Sequence, residues 1–186
     1  MPRTVLPELL DTLPPDAPEA QASRADLHSI NRWMRNLAWF RRVLKNQLRP
    51  DDRVLELGAG DGVLRHLAPV AVPWDAIDFA PPPADWPTEA RWHRADFRTF
   101  SGWADYTVII GNLVFHHLQP SELVEIGGKI RRHARLVLAS EPTRSRRAQA
   151  GFRLLCAWLR AHPVTRHDGR VSIDAGFRGR ELSNAL

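Results

Sequence analysis

The segment Arg53–Leu64, RVLELGAGDGVL, carries the chemically most telling residues of this chain. An apolar run meets an acid at Glu56, and glycines follow at alternate positions, Gly58, Gly60 and Gly62. A glycine-rich turn leaving a strand lets a ligand approach the backbone and offers it the N–H groups of a helix start. Val63 stands where a dinucleotide fingerprint needs its last glycine, and no Gly-Lys-Ser/Thr phosphate loop follows. The side chains able to move a proton are the adjacent His116 and His117, and His167 beside Asp168. No histidine spacing with neighbouring carboxylates forms a metal site, and Cys156 is the only cysteine, so no metal is expected.

The elements that must hold these residues alternate. RVLEL, WDAID, RWHRA, YTVII and RLVLAS read as five strands. GVLRHLAPV reads as a short helix opening on the glycine turn, and PSELVEIGGKIRRHA as a helix with Pro120 in its first turn. TRSRRAQAGFRLLCAWLRAH reads as a long amphipathic helix closed by Pro163. Strands separated by crossovers predict an α/β fold with a doubly wound, mostly parallel sheet. The prolines of FAPPPADWP predict a loop for the second crossover, and Gly127–Gly128 weaken their helix by about 1 kcal/mol each against alanine.

One domain spanning 1–186 is expected. Its parts are a flexible lead-in (1–22), a helix over 23–49 with Ser23 as N-cap, a core (50–142) and a C-terminal helical segment (143–186). The formal charge is +5; Lys45 and Lys129 are the only lysines among 26 basic residues, so the other 24 are arginines. That surface reads first as a solvated one, and nucleic acid is not an expected partner. No apolar run approaches the roughly 20 residues of a membrane span, and the N-terminus lacks a signal pattern. The expectation is a cytoplasmic protein without a membrane partner.

VLELGAGDG resembles the first motif of the class I S-adenosylmethionine-dependent methyltransferases, and later segments match that family in order and spacing. The resemblance implies S-adenosyl-L-methionine as cofactor. Gly58, Gly60 and Gly62 would admit it, with Ala59 adding little bulk, and Glu56 would face its ammonium group. Asp78 would accept the ribose hydroxyls and Phe79 would wall the adenine. Asp96 and Phe97 would bracket the adenine amine and face, and Gly111 and Asn112 would meet the methionine end. Of His116 and His117, one at most would be the base.

The family's members that methylate nucleobase amines or protein glutamine carry a polar residue, two prolines and an aromatic after the fourth strand, where this chain reads GNLVF. That favours an oxygen or carbon of a small molecule as methyl acceptor. Trp33, Met34, Trp39 and Phe40 would lid the substrate, and Glu141 and His167 would contact it. The resemblance breaks after the fifth strand, where no second pair of strand-like runs follows. The expected sheet lacks the family's last antiparallel pair, and its exposed edge offers a place for self-association. Two alternatives stand beside an active enzyme: a truncated or degenerate member that binds cofactor or a partner without turnover, and an RNA methyltransferase.

Overall fold

Strands buried on both faces need apolar residues at successive positions, and VLEL, WDAID and VIIGN supply them. A computed structural model describes residues 1–14 and 16–186. In chain order the elements are α1 (Pro18–Met34), α2 (Asn36–Gln47), β1 (Val54–Leu57), β2 (Trp74–Asp78), β3 (Trp92–Arg94), β4 (Val108–Asn112), α3 (Pro120–His133), β5 (Leu136–Ser140), α4 (Arg146–Leu159), α5 (Pro163–Ala175) and α6 (Glu181–Ala185). Short 3-10 turns lie at Val63–Leu67, Gly102–Asp105 and Phe115–His117. The chain divides into two units, 36–140 with 185–186, and 1–35 with 141–184.

The first unit holds a five-stranded sheet in the order β3-β2-β1-β4-β5, parallel throughout among the described residues. The order reverses between β1 and β4, and open parallel sheets bind ligands beside such a switch point, at the strands' C-terminal ends. Register pairs Leu57 with both Ile77 and Gly111, so β1, β2 and β4 end together. Phe40 and Leu44 of α2 pack with Val54, Trp74, Val108, Ile110 and Leu138 into one apolar core. Asp52 closes the strand-start end by bonding Thr107 and pairing with Arg135. Gly127 of α3 proves to be a packing residue: a Cβ there would lie 1.8 Å from the carbonyl oxygen of Ala185.

Helices and polar contacts build the other unit. Arg144 is buried, donating to Gly176 O and Met1 O and pairing with Glu181 at 2.7 Å. Thr165 of α5 donates to Ser23 and Asp26 of α1, and Asp26 also accepts the N–H of His162.

The expected lead-in and first helix need correction. The lead-in is tied down at several points: Leu9 and Leu10 donate their N–H groups to the Asp168 carboxylate at 2.8 and 2.9 Å, and Thr4 N–H bonds Asp174 O. Helix starts at Pro18, with proline in its first turn, and Ser23 is a buried residue inside it rather than its cap. The single helix expected over 23–49 is two, broken at Arg35, whose left-handed φ of 59° lets its N–H close on Arg32 and Asn31 carbonyls. Neither glycine nor proline marks that break, so local sequence did not announce it.

Candidate ligand site at the strand ends

All three turn glycines have φ between +57° and +67°, a region side chains avoid. Their surroundings separate them. A Cβ on Gly58 would lie 2.7 Å from Val114, and one on Gly62 would lie 2.7 Å from Trp86. Those two positions are small because protein packs against them. A Cβ on Gly60 would meet nothing within 4 Å, so this backbone faces open space. Gly111, at the end of β4, belongs with the packed kind, because a Cβ there would lie 2.6 Å from Phe115 and 2.7 Å from Val114. Ala59 is buried between the two turn glycines.

The acids come to the same edge with different partners. Asp78 ends β2 and accepts the N–H of Gly60 on one oxygen (2.8 Å) and that of Ala80 on the other (2.7 Å). It therefore fixes the open turn from a neighbouring strand. Glu56 is buried within β1 and accepts the indole N–H of Trp74 at 2.9 Å. Burial, reinforced by the charges of Asp61 and Asp78, pushes its carboxyl up to about 8. Glu56 is thus mostly neutral at pH 7, unlike the ionised counter-charge that an acid in this motif suggests.

Asp96 lies past the end of β3, where Arg98 surrounds its carboxylate. One oxygen accepts the Arg98 backbone N–H (2.9 Å) and Nε (3.0 Å), while the other meets Nε (2.8 Å) and Nη2 (2.7 Å). Burial works to raise this carboxyl, but the Arg98 bonds outweigh it and hold it below its ordinary value. Arg98 also reaches Glu122 at 3.1 Å, whose other oxygen caps α3 through Gln119 N–H. Sequence reading missed Arg98, whose only signal was its position two residues after an acid at a strand end. Phe97 is 9% exposed and Phe79 is 65% exposed, so of the two aromatic rings only Phe79 offers its surface to solvent.

Past β4 the chain turns sharply. Leu113 adopts φ 58°, a strained value for a leucine, and its N–H bonds Ser140 O at 2.8 Å. The turn leaves Asn112 with its side-chain oxygen buried and without a hydrogen-bond partner. A buried orphan acceptor costs about 1–3 kcal/mol until a donor reaches it. His116 is buried and His117 half-buried, with rings 4.2 Å apart and tilted by 34°.

The sequence-expected substrate residues belong to a different unit from the strand ends. Trp33 on α1, Glu141 after β5 and His167 on α5 belong to the helical unit. His167 bonds Asp168 at 2.9 Å, but the same carboxylate holds the Leu9 and Leu10 N–H groups, which makes the pair a structural clasp rather than a free base. The expected lid is also corrected: Phe40 and Trp39 stack edge-on at 4.8 Å in the sheet unit's apolar core. Trp33 and Met34 remain exposed in the other unit.

No protein-family model and no curated protein matches the sequence. Solved structures do match. One is the plantazolicin methyltransferase BpumL in complex with a triazolic desmethylPZN analog and SAH, at TM-score 0.61 and 13% identity. The match covers 91% of this chain and 68% of that one. The plantazolicin methyltransferase BamL, with the same type of analog and SAH, matches at TM-score 0.61 and 13% identity, over 95% and 68% of the two chains. This chain thus spans about two thirds of the length of either protein. At such identity the likeness speaks for architecture alone, and with the strand order and glycine turn it shows that the chain has the class I S-adenosylmethionine-dependent methyltransferase fold.

Proposed function

We propose that this chain is an S-adenosylmethionine-dependent methyltransferase whose acceptor is an oxygen or carbon of a small molecule. The observation that carries the reading is Gly60: it faces open space at the end of β1 while Asp78, from β2, grips its N–H. The residues present fit the cofactor. Gly60 leaves room for backbone approach, Asp78 presents a carboxylate for the ribose hydroxyls, and Phe79 presents a ring for the adenine. Asn112 supplies a buried acceptor in want of a donor, which a cationic ammonium group would satisfy. Two assignments shift in weight. Glu56, neutral at pH 7, acts as a hydrogen-bonding wall more than as a counter-ion, and Asp96 receives the adenine amine only where Arg98 yields.

When bound, the cofactor supplies an electrophilic methyl group with a good leaving group. The chain's task is then to orient the acceptor, exclude water and take its proton. The fourth-strand turn serves that task, with Leu113 in a strained conformation and two imidazoles directly after it. His117, the more accessible of the two, is the better placed to pass a proton onward, and His116 the better placed to hold it in position. The absence of paired prolines in Gly111–Phe115 speaks against the exocyclic amine of a nucleobase and for an oxygen or carbon of a small molecule.

Calorimetric titration of the chain with S-adenosylmethionine and S-adenosylhomocysteine tests the reading. Gly60→Val fills the open space and abolishes binding, at least a hundredfold loss or roughly 3 kcal/mol, with the circular dichroism spectrum kept. Asp78→Ala weakens binding about tenfold, in line with a lost charge-assisted hydrogen bond. Wild-type affinity in both variants would remove the assignment.

A further inference from the structure

The helical unit carries a second surface with chemistry of its own, independent of the methyl-transfer reading. On α4 the exposed residues are Arg146, Arg147, Ala150, Gly151, Arg153, Leu154, Ala157 and Trp158. At 3.6 residues per turn they all fall within one half of the helix circumference. That face is not the charged, apolar-free one expected of a surface helix. Leu154 is 73% exposed and Trp158 67% exposed, and the Trp158 ring meets Trp33 of α1 edge-on at 5.7 Å, itself 62% exposed beside an exposed Met34. Neither indole N–H has a hydrogen-bond partner among the described residues.

Arginines share the exposed half of α4 with Leu154 and Trp158. Arg146, Gln149, Ala150 and Arg153 of α4, with Arg170 of α5, line an open groove of about 410 Å³. Asp174 is the acid on that groove, and Gln149 bonds it at 3.0 Å. None of the guanidiniums of Arg146, Arg147, Arg153 and Arg170 has a hydrogen-bond or ion-pair partner among the described residues. α4 contains no acid at all, and two of its arginines stand in the first turn, at the positive end of the helix dipole. Anions near that turn would relieve an arrangement that the chain itself leaves uncompensated.

We propose that this face is a docking surface for an anionic lipid bilayer, with Trp33, Leu154 and Trp158 entering the headgroup boundary and the arginines meeting lipid phosphates. Interleaved tryptophan, leucine and arginine on one helix face is the composition that settles at a charged membrane–water boundary. A second copy of this chain fits it poorly, because the face would bring Arg146, Arg147 and Arg153 against their own copies with no acid between them. A folded protein partner would have to bring a fitted acidic patch against Arg146, Arg147 and Arg153, whereas the phosphates of a bilayer meet them without one. A surface association needs no spanning helix, and no helix of the described residues is long and apolar enough to be one.

The test uses the full chain in flotation with phosphatidylcholine vesicles, with and without phosphatidylglycerol. Binding is expected only to the anionic vesicles, falling as salt rises, with a blue shift of tryptophan emission. Arg146→Gln and Arg153→Gln each lower the partition about fivefold, and Trp158→Ala lowers it about tenfold. All three positions are exposed, so circular dichroism and thermal melting should stay unchanged. Binding to neutral and anionic vesicles alike, or to neither, overturns the proposal. So does capture of free inorganic phosphate through the same arginines without vesicle binding. A dimer in sedimentation that Trp158→Ala dissolves assigns the face to a second copy and overturns it as well.

Discussion

The two units reach stability by different means. In the sheet unit, Phe40, Leu44, Val54, Val108 and Ile110 form a continuous apolar core that excludes water almost completely, beside the buried polar residues Asn36, Asp52, Glu56, Asp75 and His116. In the helical unit, Asp168, Arg144, Thr165 and Ser23 are buried as well, and each holds chain segments remote in sequence through hydrogen bonds. An apolar core tolerates small shifts because its attraction has no direction. A buried polar clasp does not, because losing one partner leaves the other desolvated and unsatisfied. The sheet unit therefore spreads its stability over many apolar contacts, while the helical unit depends on a few irreplaceable side chains.

Substitutions can break or sharpen that contrast. The largest expected effect is Phe40→Ala, which opens a cavity in the sheet unit's core and lowers stability by about 4 kcal/mol; urea unfolding measures it. Next is Asp168→Ala, which strands the Leu9 and Leu10 N–H groups and frees His167, for about 3 kcal/mol. Hydrogen exchange distinguishes the two: the Asp168 variant should lose protection first at Leu9 and Leu10 and keep it in β1 and β4. Uniform loss across both units would mean that the units unfold together and that the contrast has no energetic content.

A third effect, spread over a pH range rather than read at one pH, concerns Glu56 and has a definite sign. Its folded value of about 8 lies above the ordinary 4.5, so between those values the folded chain holds a proton that the unfolded chain releases. Stability is unpenalised below pH 4.5, declines as pH rises toward 8 and levels off beyond. Glu56→Gln, which can still accept from Trp74, should flatten that decline in melting temperature against pH. An unchanged slope would mean that Glu56 ionises freely in the folded chain.

The same difference governs what was legible beforehand. The sheet unit follows from apolar runs and turn glycines, signals set by neighbours in sequence, and all five strands lie where the runs lie. The helical unit was misread where its contacts are distant. The proline-rich start looked loose because nothing near it in sequence shows that Asp168, some 159 positions on, would hold it. Arg35 ends a helix with an ordinary side chain, because the break comes from where the two halves pack and not from any local preference.

By itself the sequence determined the parallel α/β architecture and the edge on which the glycine turn lies. Glycine spacing and apolar periodicity are local properties, and a twisted parallel sheet leaves few ways to satisfy them. Only the tertiary structure decided which glycine faces open space and which merely makes room for Val114, Trp86 or Phe115. It also decided that Asp96 arrives already bound by Arg98, that burial raises the Glu56 carboxyl, and that Trp158 faces solvent. Each of those depends on the atoms that surround a side chain, and those atoms come from segments that no spacing along the chain brings together.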